Sequence, residues 1–327
     1  MANANDALLR MESGQTSYAL VALTNSGDAT TYTGAAKPWS RKNGFDATIT
    51  PNGVINGGTV SAAASGSDNV IDYTALNVYL AGVSTAVSGG TDLAVTRATA
   101  ADTHKISSIT VTSAGAVAVI AGTNSTSFTE TRGAAGGPPY IPAGSVEVAQ
   151  VRLIGSTAAP VAASDIFQAE GLHLERYDYP AYTVDYFNGQ VKFDAALPTI
   201  HTGDVTKSIY GSYAVPIFSD LQRVSDVVVP EESYSVSSEV FYGGTLNSTS
   251  TSLGQGSFTI LTSNGVTDPV VKAKGQTLWF EFLPNKYRSE KIQYQGILGV
   301  TRSFPTSGSI SSSCTVSAES KAQDVEI

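Results

Sequence analysis

The chain has 327 residues, of which 14% are charged, with 19 Lys and Arg against 28 Asp and Glu and a formal net charge of −9. That balance argues against a surface that grips nucleic acid, which needs clustered cations for the phosphates, though not against one past which nucleic acid slides. The single cysteine, Cys314, excludes an intrachain disulfide and a thiolate metal cage.

The length allows two ordinary domains. A charge content well below the roughly 25% of a typical soluble domain suits an outside covered by copies of the same chain. The opening stretch, MANANDALLRMESG, lacks the basic region and apolar run of a signal peptide. No apolar run approaches the ~18 residues needed to cross a membrane as a helix, so the expectation is assembly in a cytoplasm without membrane insertion.

Residues 43–168 are rich in Ala, Gly, Ser and Thr. Within them, SSITVTSAGAVAVIA (107–121) reads as a hairpin turning at Ser113-Ala114-Gly115. GGPPYIPAGSVEVAQVRL (136–153) is a Pro-stiffened lead-in to a strand. Its alternation slips from Val146 and Val148 to Val151 and Leu153, which predicts a bulge or a strand buried on both faces. STAAPVAASD (156–165) reads as a linker, and from about 170 the chain becomes aromatic.

YTVDYFNGQVKFD (182–194) forms two alternating runs around Asn188-Gly189, a strong hairpin signal. PIFSDLQRV (216–224), with Pro216 near its start and Ile217, Leu221 and Val224 on one side, predicts a short helix. SYSVSSEVFYG (233–243) places Tyr234, Val236, Val240 and Tyr242 on an inward face and Ser235, Ser237 and Glu239 on the other. TLNSTSTSLGQG (245–256) is a long polar segment, an extended loop or a mobile hairpin tip. GQTLWFEFLP (275–284) reads as a strand covered on both faces.

KIQYQGILGVTRSF (291–304) groups Ile292, Tyr294, Leu298, Val300 and Phe304 opposite a wet face of Gln293, Gln295, Thr301 and Ser303. In SGSISSSCTVSAE (307–319) the odd positions are Ser307, Ser309, Ser311, Ser313, Thr315, Ser317 and Glu319, a row of hydroxyls ending in a carboxylate. Cys314 falls on the apolar parity and reads as a small buried hydrophobe. The polar tail ESKAQDVEI is expected to be mobile or an arm ordered on assembly. Alternation of this kind, repeated with turns between, predicts an antiparallel, all-β fold with one or two short helices.

The search for chemistry is sparse. His104, His173 and His201 are isolated, with His173 read as a surface residue, and none has metal-ligand spacing. No phosphate-cradling glycine motif or nucleophile elbow occurs. Asp185, Glu239 and Glu281 are carboxylates that could be paired on facing strands, as a glycosidase requires, but any acidic β protein offers such pairs. Asp28, Asp68 and Asp72 read as turn acids. No catalytic residue, cofactor or metal follows, and the expectation is not an enzyme.

From about residue 175, the order and texture of elements resemble the tail tube (major tail) protein of long-tailed bacteriophages. The segments that carry the resemblance are the aromatic hairpin, SYSVSSEVFYG, GSFTILTSNG, QTLWFEFLP and the closing pair QGILGVTRSFPTSGSISSSCTVSAES. The resemblance implies a β-sandwich or barrel tube domain over 169–327, with 1–42 as its N-terminal arm and first strands. Residues 43–168 resemble small β modules of phage tails and read as an inserted or decorating domain.

It further implies a virion protein that self-assembles into stacked hexameric rings, whose smooth polar lumen conducts DNA without holding it. Implied partners are copies of itself, tail terminator, tape measure and tail-tip proteins, and viral DNA in passage. Ser235, Ser237, Glu239, Ser309, Ser311, Ser313, Thr315, Ser317 and Glu319 are then the candidate lumen face. Asn247, Ser248, Thr249 and Ser250 are the candidate contact between rings. A head-decoration or tail-fibre subunit is the alternative.

Overall fold

The computed structural model describes residues 6–168, 181–203 and 205–326. His173 and the centre of the aromatic run at 170–180 lie outside them. The fold is all-β, built from many antiparallel strands, with one α-helix, Pro269–Lys272, among the described residues. No helix among them is long and apolar enough to cross a membrane. The chain forms two compact units, one of residues 1–17, 38–47 and 213–327, the other of 18–37 and 48–212. Two of the unit boundaries, after residues 17 and 212, fall within the strands Leu8–Ala22 and Ile209–Leu221.

In the second unit, four strands in the order Val117–Ala121, His104–Val111, Val146–Ile154 and Ile166–Gln168 share a core with two three-stranded sheets. The expected hairpin is present, pairing Ser107 with Ala121 through Val111 with Val117. The slipped alternation is a bulge: Ile109 pairs with Ala149 but Thr110 with Glu147, skipping Val148. That extra residue lets Val146, Val148, Val151 and Leu153 all be buried. The 182–194 hairpin also forms, pairing Tyr182 with Phe193. Asp185 accepts the Phe187 and Asn188 backbone N–H groups, and Gly189 takes the positive φ (61°) that closes the turn.

The first unit is dominated by one sheet. Its strands run in the order Val224–Val228, Gln255–Leu261, Ser311–Ala318, Lys291–Ser303, Thr277–Leu283, Leu8–Ala22 and Ile209–Leu221. One face supplies Phe258, Cys314, Val316, Val300, Leu298, Tyr294, Phe280, Leu278, Met11 and Leu9 to a core closed partly by Val270 and Ala273 at the helix. Burial pushes the Cys314 thiol up to about 12, consistent with an inert apolar role. The strand Thr277–Leu283 is covered on both faces, with Leu278, Trp279 and Phe280 fully buried.

Three expectations are corrected here. The predicted helix at 216–224 is strand: the segment lies largely within Ile209–Leu221, and a new strand begins at Val224 after Arg223 turns the chain at φ 60°. Neighbouring backbone decides it, since this strand lies beside Leu8–Ala22 in the sheet, with Arg10 gripping Asp220 at 2.8 Å. The polar segment at 245–256 is strand through Leu253 and not loop. The tail is partly sheet, with Gln323–Val325 pairing along Lys291–Gln293.

Candidate functional site

The hydroxyl row of 307–319 adopts the expected parity. Ser312, Cys314 and Val316 are fully buried, while Ser313 and Ser317 are exposed and Ser311 and Thr315 half-buried. Ser309 lies exposed before the strand begins. Register extends this face over three strands. Thr259, Ser313 and Thr301 stand side by side, as do Ser257, Thr315 and Gly299, and Leu261, Ser311 and Ser303. Gly299 keeps the array low, because a Cβ there would meet Thr315 Oγ1 at 2.4 Å.

No ionisable side chain stands in these rows. Glu319 closes the edge, accepting Arg41 Nη1 at 2.8 Å and Thr277 Oγ1 at 3.1 Å. Ser257 and Thr259 were not singled out from sequence, although their alternation with Phe258 and Ile260 was the available signal.

The wet face does not continue to Gln293 and Gln295, which are buried at 6% and 4% exposure. They sit in the half of the sheet covered by residues 38–47. There the Trp279 indole donates to Trp39 O at 2.7 Å, and Trp39 stacks on Tyr213 at 4.4 Å. Gln293 instead donates to Glu281, which also takes Lys291 at 2.6 Å.

Ser235, Ser237 and Glu239 are not on this sheet. They lie on a hairpin formed by Glu232–Phe241 and Gly244–Leu253, paired without a break from Glu232 with Leu253 to Phe241 with Gly244. One ribbon face is a ladder of hydroxyl pairs, Ser233 with Ser252, Ser235 with Ser250 and Ser237 with Ser248, at 2.7, 2.6 and 2.7 Å. Of the candidate contact residues, Ser248 and Ser250 are therefore cross-strand partners of the candidate lumen residues Ser237 and Ser235, while Asn247 and Thr249 pair with Ser238 and Val236 on the same ribbon.

The other face carries Tyr234, Val236, Val240 and Tyr242, expected inward but exposed at 68%, 67%, 83% and 107%. Glu232 accepts the Tyr234 hydroxyl at 2.8 Å and, as an acceptor and a negative charge, raises the phenol's pKa. An isolated two-stranded ribbon is marginal in water at best.

Of the three carboxylates weighed for catalysis, Asp185 caps a turn and Glu281 anchors Gln293, while Glu239 stands exposed on the ribbon. No cluster of His, Cys, Asp or Glu that could hold a metal occurs among the described residues. In the second unit a cleft of about 380 Å³ is lined by Glu130, Arg132, Glu147, Arg152 and Lys207. There Arg132 pairs with Glu147 at 2.5 Å and Arg152 with Glu130 at 2.7 Å. Burial drives the Lys207 amine down to about 7, against the opposing charge of Glu147. No sequence pattern marks Lys207, which lies between the strands Val205–Thr206 and Ile209–Leu221. No protein-family model matches the chain, and no curated protein matches it in sequence.

Proposed function

We propose that this chain is a structural subunit that self-assembles, as tail tube proteins of long-tailed bacteriophages do, into stacked hexameric rings enclosing a channel for DNA. The observation that carries the reading is the 232–253 ribbon. Both of its faces are exposed, and its apolar face is not covered by any of the described residues. A second copy provides the missing surface, and closure of sheets between copies removes edge strands that would otherwise aggregate.

The uncharged hydroxyl face around Ser313 supports the channel half of the reading. Clustered cations would hold phosphates and release them slowly, whereas hydroxyls offer no such trap. The chain is then a virion component assembled in the host cytoplasm, with further contacts to terminator, tape measure and tip proteins. Negative-stain electron microscopy of the purified protein, concentrated at moderate salt, tests the proposal. Rings or tubes with an open centre are expected. Dispersed monomers at every concentration would count against it, and trimers or compact knobs would favour a head-decoration or fibre subunit.

A further inference from the structure

We propose that the tip of the 232–253 ribbon seats in a particular cleft of a second copy of this chain, the cleft edged by Arg223 and Lys286. The inference rests on the self-assembly reading and names the surface that receives the ribbon.

Charge along the chain is segregated. From 224 to 271 there are five acids, Asp226, Glu231, Glu232, Glu239 and Asp268, and no Lys or Arg; from 272 to 302 there are six cations against two acids. The ribbon is thus purely acidic, and its end combines Glu239 with the exposed side chains of Val240, Phe241 and Tyr242, at 83%, 56% and 107% exposure. That combination, aromatic side chains beside one carboxylate, suits a hollow with a basic rim.

The first unit contains such a hollow. A cleft of about 450 Å³, with mainly polar exposed surface, has Gln222, Arg223 and Lys286 in its wall among Leu8, Val224, Val227 and Phe282. Its acid, Asp220, is already held by Arg10 at 2.8 Å. Lys286 and Arg223 are both exposed, and the Lys286 ammonium lies 5.2 Å over the ring of exposed Tyr287, extending the aromatic and basic character outward.

The occupant must be another copy. Val224 and Val227 belong to the strand that leads into the ribbon, and the ten paired positions of the ribbon carry its tip roughly 30 Å from its base. A continuously paired ribbon does not fold back on a cleft beside its own base.

Charge reversal tests this. Glu239→Lys and Lys286→Glu are made singly and together, with circular dichroism to check folding and sedimentation velocity to follow assembly. Each single variant is expected to raise the concentration needed for assembly about tenfold, and the double variant to recover most of the loss. In parallel, Tyr242→Cys and Lys286→Cys chains are mixed under mild oxidation. A disulfide-linked dimer from the mixture that exceeds either chain alone supports the pairing, since the native Cys314 is buried. Wild-type assembly unaffected by either reversal, with no preferential cross-link, overturns the cleft and leaves self-assembly standing. A wild type that never assembles overturns both.

Discussion

The Glu12 carboxylate accepts the backbone N–H of Trp279 at 3.0 Å, across 267 residues of sequence, and the Ser40 hydroxyl on its other oxygen. Three distant segments of the first unit thus meet at one fully buried acid. Gln15 donates to the same Ser40 hydroxyl at 2.8 Å. Burial raises the Glu12 pKa, opposed by the Ser40 and Trp279 donors and by the positive charge of Lys42.

Replacing this acid separates its two effects. Glu12→Ala leaves the Trp279 N–H and the Ser40 hydroxyl buried and unpaired and is expected to cost about 2–4 kcal/mol in urea unfolding at neutral pH. In the wild type the raised pKa means the folded state holds its proton to higher pH than the unfolded chain. The Glu12 contribution to stability therefore falls as pH rises from the ordinary Glu value through the folded one. Glu12→Gln should remove that slope. An unchanged slope would mean that Glu12 does not titrate differently on folding.

Lys207 has the opposite sign of effect. Its folded value of about 7 lies below the ordinary lysine value of 10.5, so between them the unfolded chain binds the extra proton. Stability is expected to rise with pH across that window, and the burden is fully present below it. Lys207→Met should be more stable than wild type at pH 6, by a few kcal/mol at most, with the difference shrinking towards pH 10. Denaturation midpoints measured over that range check this, and a constant gap would refute it.

The ribbon makes no contribution to the first unit's core, because none of its residues belongs to the buried cluster around Phe258 and Phe280. Excising 233–252 and joining the ends through a short Gly-Ser turn should shift the melting temperature by only ~2 °C or less. The same change should abolish assembly. Unimpaired rings from the shortened chain would remove the ribbon from the assembly mechanism.

Ser313 stands in the middle of the hydroxyl rows, between Thr259 and Thr301. Ser313→Lys and Ser311→Lys are surface changes expected to alter stability by no more than about 0.5 kcal/mol. In assembled particles they should leave tube formation intact while slowing DNA release, most strongly at low salt, where phosphate attraction is least screened. Normal release would show that this face does not line the channel.

Period-two alternation is a local property of the pleated chain, and so much of the strand structure was readable in advance. The parity of Ser311–Ala318, the hairpin at 107–121, the bulge beside Val148 and the buried Cys314 all follow from which side successive Cβ atoms take. What covers a face is not local. Gln293 and Gln295 share a strand and a parity with Thr301 and Ser303, yet only the latter pair is exposed, because residues 38–47 cover one half of the sheet. The 216–224 segment satisfies a helical spacing as well as a strand, and the neighbouring strand Leu8–Ala22 decides between them. Tyr234 and Val236 have the pattern of core residues but point to solvent. Alternation records that a face is apolar, whereas only the tertiary structure records that none of the described residues is packed against it.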